Sequence, residues 1–258
     1  MARYWGQKIL IYGDYVQTSE KGITIKNLDQ EEWERKTQDV FRRIEGSQVG
    51  RVLLRLINNG HRMLAVRPLA ASLLGETRSV ASNPVHAGEK GAQVKPGDPQ
   101  LADGLGSGAT IWFDPDTWSG AAKSAADPAN HMRPDDVLFH ECVHVYRYMR
   151  GKAVDKRIDF FENREEFYAV LLTNIYVADL KRPQDLRGSH RLPFDALGYQ
   201  QQFAAPQTSE KLFYFQFTSE IDELCTTMPE LTNPLCGLPT WNPLRVRRDK
   251  DKPNSMYS

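Results

Sequence analysis

Alternating apolar and polar positions predict the strands of this chain. KILIYGDY and GITIKNL each alternate for a few positions with turn-forming residues between them, which predicts a short hairpin. HRMLAVRPL is a third strand-like segment, and Ala109 to Phe113 form a fourth, closed by a turn at Asp-Pro-Asp. This last strand is a candidate edge that could align an extended peptide, or else an ordinary strand of the sheet.

Helical periodicity predicts four helices, which begin near Asp29, Gln48, Pro134 and Asn163. The first places Trp33, Val40 and Ile44 on one face, and the second is stopped by Asn-Gly. The third has Pro134 in its first turn and Gly151 just past its end, which is typical of helix boundaries. With both strands and helices predicted, we expect an α+β fold, with a small mixed sheet and the third helix packed beside the fourth.

Gly75 to Gly108 lack periodicity and are rich in Gly, Pro, Ser and Ala, which predicts a long loop. Beyond Lys181 the pattern is mixed, although LFYFQFTSEIDELC indicates a strand or a short helix. The closing RVRRDKDKPNSMYS is polar and basic. We therefore expect one domain over residues 1–245 and a flexible tail over 246–258.

Composition excludes several classes of function. The chain has 33 Lys plus Arg against 33 Asp plus Glu, so no overall charge favours nucleic acid or an anionic membrane. No apolar run approaches the ~20 residues that span a bilayer. Three cysteines are too few for a disulfide framework, and we expect Cys225 and Cys236 to be reduced.

The N-terminus, MARYWGQKILIYGDY, lacks the basic and then apolar build of a signal peptide. We therefore expect a cytoplasmic protein, or one delivered into a target cell by a dedicated secretion system that needs no such signal.

The stretch HECVH places two histidines four positions apart on one predicted helix. Residues at this spacing lie on the same side of a helix, so His140 and His144 can direct two imidazoles at one Zn²⁺ ion. Glu141 is rotated by about 100° from His140, beside the place of a bound water whose proton it can take. H-E-x-x-H thus predicts a zinc-dependent hydrolase with Glu141 as the general base.

A catalytic zinc needs a third protein ligand. Arg147 and Arg150 stand where an extended H-x-x-G-x-x-H motif has Gly and His, so the ligand must lie elsewhere. Glu166 begins a mostly apolar stripe on the fourth helix, where its buried carboxylate would need a cation. Glu165 should point towards solvent, and with Glu162 it is better explained as an acidic start to the helix.

Three blocks resemble the M91 zinc metallopeptidases, and the resemblance covers about residues 105 to 197. HECVHVYRYMRG, REEFYAV and LRGSHRLPF are similar to H-E-L-x-H-A, E-E-L-x-A-V and R-A-E-H-G-L-P. That family includes injected bacterial effectors that cleave host MAP kinases, and toxin domains. The resemblance implies a zincin-like metalloprotease domain, a protein substrate as its partner, and a role in virulence.

The resemblance also implies roles for particular residues. His140, His144 and Glu166 would be the metal ligands, and Glu141 the base. His190 matches the histidine of the third block and would stabilise the oxyanion or orient a ligand, although Arg191 replaces a glycine beside it. Apart from the resemblance, a nearby tyrosine such as Tyr199 or Tyr168 is an alternative to His190 for stabilising the oxyanion. The alternatives are a housekeeping cytoplasmic peptidase and an inactive metal-binding adaptor.

Overall fold

The protein is described here by a computed structural model. It describes residues 3–13, 29–69, 77–95, 99–116, 132–182, 185–188 and 206–250. These residues form five strands and nine helices, which confirms the α+β class. The chain divides into two compact units, Met1–Lys156 and Arg157–Ser258. A single zincin-like domain over residues 1–245 remains a prediction.

The first unit contains a mixed sheet. Its strands are β1 (Arg3–Trp5), β2 (Ile9–Ile11), β3 (Leu64–Pro68), β4 (Arg78–Ala81) and β5 (Ala109–Phe113), in the order β1-β2-β3-β5-β4. β3 is parallel to both β2 and β5, whereas β1 and β4 run antiparallel to their neighbours. One residue in two along β2, β3 and β5 is buried, because successive side chains point to opposite faces of a sheet.

Three strand predictions need correction. β2 has β1 and β3 as its two neighbours rather than GITIKNL, which lies outside the described residues. β5 is flanked by β3 and β4, so it is an interior strand and not an edge. The predicted loop from Gly75 to Gly108 contains β4 and a short helix. β4 forms because it pairs with β5, and a pairing with a distant strand leaves no periodic pattern in the residues of β4 themselves.

The helices of this unit are α1 (Gln30–Glu45), α2 (Gln48–Asn58), α3 (Pro84–Ala87) and α4 (Pro134–Met149). Side-chain caps begin the first two, since Asp29 accepts from the Glu32 amide and Ser47 from the Gly50 amide. Helices α1 and α2 both pack against α4, and α4 also contacts β4 and β5. The helix with the histidines is therefore held in the core of the unit.

Gly151 ends α4 as predicted, in a left-handed conformation with φ of +60°. The Lys152 amide donates to the carbonyl of Arg147 and the Gly151 amide to that of Tyr148, which is the Schellman arrangement. A Cβ on Gly151 would lie 2.3 Å from the carbonyl oxygen of Gly104. Only glycine therefore satisfies both the turn and this close approach.

The second unit is helical in its described part: α5 (Arg164–Asp179), α6 (Pro206–Gln216), α7 (Thr218–Thr227), α8 (Pro229–Leu235) and α9 (Pro243–Lys250). Its core includes the packed rings of Phe161, Phe167, Phe213 and Phe217. The segment LFYFQFTSEIDELC is helical, so its strand alternative is wrong.

Residues 246–250 of the predicted tail belong to α9, and residues 251–258 lie outside the described part. The buried side chain of Leu244 and an ion pair between Arg247 and Asp222 hold this helix in place. All three cysteines are free thiols, as expected. Among the described helices, none is long and apolar enough to cross a bilayer.

Candidate metal centre

Two imidazoles meet on one side of α4. His140 and His144 are both buried, and their Nε2 atoms lie 3.1 Å apart. Two nitrogens at this distance can share either a proton or a cation. Nitrogens that ligate one zinc at ~2.05 Å in tetrahedral geometry lie about 3.3 Å apart, so the observed spacing fits a shared ion.

A carboxylate completes a set of three donors. One oxygen of Glu166 and one ring nitrogen each of His140 and His144 all lie within 4.8 Å of one another. Two imidazoles and a carboxylate are the ligands of many catalytic zinc sites, and they leave a fourth position open. The structure thus brings together the three predicted ligands, and the donor set suits a divalent metal of the zinc type.

The position of Glu166 along α5 follows from local rules. Asn163 caps the helix, with its side chain accepting a hydrogen bond from the Glu166 amide at 2.9 Å. The predicted apolar stripe that follows Glu166 is buried throughout. Glu165, however, is buried, so its predicted exposure to solvent is wrong. Fourteen of the sixteen residues of α5 are buried, and in the first turn only Glu166 is partly exposed.

Glu141 is buried beside the two histidines on α4, and β4 determines the position of its carboxylate. The backbone amide of Ser79 donates to Oε2 of Glu141 at 2.7 Å. A hydrogen bond to a charged acceptor is stronger than a neutral one and orients the carboxylate. Ser79 was missed by the sequence reasoning because it lies in the segment that was predicted to be a loop.

Cys142 follows Glu141 and has no exposed surface. Burial raises the pKa of its thiol far above the ordinary range, and the negative charge of Glu141 raises it further. The side chain therefore stays a neutral thiol at physiological pH and packs in the core. Cys142 occupies the position of the leucine in the block H-E-L-x-H-A, and as a buried neutral thiol it leaves the donor set intact.

The metal-ligand cluster formed by the described residues does not include the residues predicted to stabilise the oxyanion. His190 and Tyr199 lie outside the described residues, so their roles remain predictions. Tyr168 is buried, and its hydroxyl donates to Glu223 at 3.1 Å. The hydroxyl proton of Tyr168 is therefore engaged by Glu223, and a role for this residue at an oxyanion also remains a prediction.

Asn174 on α5 is a second residue that sequence reasoning missed. Its side-chain amide donates to the carbonyl of Arg187 at 2.7 Å, and its carbonyl oxygen accepts from the Arg187 amide at 2.8 Å. Arg187 comes three positions before His190 in the third block of the resemblance. An asparagine inside a buried helix is the one signal that could have indicated this anchor.

A buried pair of histidines four positions apart, with a glutamate directly after the first, is the arrangement found in many metal-dependent peptidases. Residues 21–191 match the model of the peptidase M91 family, whose description is "effector protein". The match covers more than half of the chain, which therefore belongs to this family. No curated protein matches the chain.

Proposed function

We propose that the protein is a zinc-dependent endopeptidase that is delivered into a target cell as an effector and cleaves a protein there. The observation that carries the proposal is that donor atoms of His140, His144 and Glu166 lie within 4.8 Å of one another. Glu141 follows His140 directly on α4. The effector description of the family favours delivery over a housekeeping role.

His140, His144 and Glu166 would hold the metal. A zinc ion bound there would supply Lewis acidity, which lowers the pKa of water and polarises a carbonyl. Glu141 acts as the general base, taking a proton on its carboxylate and passing it to the leaving amine. The Ser79 amide donates to Oε2 of Glu141 and so helps to hold the carboxylate in one orientation.

Two further parts of the mechanism concern the substrate. A side chain such as His190 or Tyr199 would donate a hydrogen bond to the oxyanion. β4, the last strand of the described sheet on that side, would align an extended peptide. Ser79, which holds the base, belongs to β4, and this favours β4 over the interior strand β5 that the sequence had suggested.

The metal content of the purified protein tests the ligand set. We expect about one zinc per chain in the wild type and a large loss in Glu166→Ala, because a zinc site with two protein ligands binds weakly. Glu162→Ala is the matched control, since this exposed glutamate lies four positions earlier. A wild-type protein that takes up no divalent metal, or a Glu166→Ala protein that keeps its zinc, would contradict the proposal.

A further inference from the structure

The face of the sheet opposite its buried side carries a row of cations and aromatic rings. Arg67 of β3 is paired with Trp112 of β5, and Trp112 with Arg78 of β4. Tyr12, directly after β2, continues the row, and its amide donates to the carbonyl of Val66. We call Tyr12, Arg67, Trp112 and Arg78 the arginine row. Three strand spacings give it a length of about 14 Å.

Arg67 lies between the two rings of the row. Its guanidinium carbon is 5.2 Å from the centroid of Tyr12 and 6.0 Å from that of Trp112. Its Nε is shielded from solvent with no acceptor in the described part of the chain. The rings stabilise the positive charge and restrict the orientation of the guanidinium, but they accept no strong hydrogen bond from it.

Neither arginine of the row pairs with a carboxylate among the residues that the structure describes. Other surface arginines of the same unit do form ion pairs: Arg35 and Arg42 each pair with Asp39. Arg67 is half-buried and Arg78 is exposed. The arginine row therefore carries positive charge, and two aromatic rings hold the guanidinium of Arg67. Within the described residues no carboxylate neutralises either arginine.

A second row runs beside the first on the same face, two residues away along each strand. It consists of Leu10, Ala65, Thr110 and Val80, which are partners in the same register. Val80 is 39% exposed, an unusual value for a valine in a sheet. The face thus combines a charged stripe with a largely apolar one, at a separation of about 6.6 Å along the strands.

We propose that this face is a docking surface for an acidic segment of a partner protein, in which carboxylates alternate with apolar side chains. Arg67 and Arg78 would each take a carboxylate, for which the guanidinium fork is suited. Val80 and Leu10 would contact the apolar residues between them. Charge complementarity carries this choice of occupant, and the proposal does not depend on peptide hydrolysis.

A peptide partner fits the row better than a nucleic acid does. Nucleic-acid binding commonly rests on about six to ten phosphate contacts, whereas the row offers two cations on a chain of zero net charge. Two cations are enough for two carboxylates of an extended segment. A single-stranded nucleic acid is kept as an outcome of the test.

Fluorescence anisotropy with the full-length protein tests the surface. The probes are a labelled dodecapeptide of alternating Glu and Leu, its Gln–Leu counterpart, and a labelled oligothymidylate of equal length. We expect the wild type to bind the acidic peptide and the double variant Arg67→Gln/Arg78→Gln to bind it at least about tenfold more weakly, since hydrogen bonds to charged groups are lost. The Gln–Leu peptide should bind weakly to both proteins.

Arg55→Gln is the matched control, because Arg55 is an exposed arginine of the same unit on α2. It should bind the acidic peptide like the wild type. Equal binding by the double variant, no binding by the wild type, or a preference for the oligothymidylate would each overturn the proposal. Circular dichroism and thermal melting establish that the double variant is folded. If it is not, the single variant Arg78→Gln serves, because Arg78 is exposed and its loss should still weaken binding.

Discussion

Replacing Glu141 by glutamine separates its catalytic role from its structural one. Glutamine has nearly the same shape, and its carbonyl oxygen can accept the Ser79 amide where Oε2 does at 2.7 Å. It cannot take a proton from water. Loss of a general base typically costs a factor of about 10²–10⁴ in rate, which corresponds to ~2.7–5.4 kcal/mol in the activation free energy.

Alanine at the same position removes the acceptor as well. The Ser79 amide then loses its partner at a buried position, at a cost of about 1–3 kcal/mol in the free energy of unfolding. The glutamine variant should therefore melt like the wild type, whereas the alanine variant should melt several degrees lower. Both should lose activity, and both should retain zinc, because Glu141 lies outside the proposed ligand set.

The assay is the hydrolysis of labelled casein by zinc-loaded protein, together with thermal melting and metal analysis of each variant. Glu162→Gln is the control for the loss of one negative charge at an exposed site. The proposed effector role adds a readout in cells: toxicity in a foreign host should disappear with Glu141→Gln. Full proteolysis by Glu141→Gln would refute the assignment of the base.

Two further substitutions test how the elements around the site are held. Gly151→Ala should lower the free energy of unfolding by about 2 kcal/mol or more, because alanine is disfavoured at a φ of +60° and its Cβ would lie 2.3 Å from the Gly104 oxygen; chemical denaturation measures this, and an unchanged midpoint contradicts the reasoning. Asn174→Ala should destabilise by about 1–3 kcal/mol, because the Arg187 amide and carbonyl both lose their partner; wild-type stability in the same assay would show that water replaces the asparagine.

Periodicity and end signals predicted the elements whose own residues specify them. The helices from Gln30, Gln48, Pro134 and Arg164 begin within a residue or two of the predicted positions, because caps and apolar spacing act within a few turns. β3 and β5 were found from their alternation. Strand β4 was missed, because RSVA is short and depends on pairing with β5 for its backbone hydrogen bonds.

Burial was the less predictable quantity. The solvent direction assigned to Glu165 assumed that α5 has a polar face, whereas nearly all of the helix is covered. The interior position of β5 could not be read from its own residues either, because alternation marks one covered face of a strand and says nothing about how many neighbours it has.

The chain's order of residues by itself determined that His140 and His144 share one side of a helix with Glu141 next to them, since helical geometry fixes neighbours three and four positions apart. Only the tertiary structure decided that the Ser79 amide, 62 positions away, holds that glutamate. The same is true of Arg67 lying between Tyr12 and Trp112. Sheet register and helix packing bring together residues that are distant in sequence. The free energy of these contacts depends on the complete fold, so no local stretch of sequence predicts them.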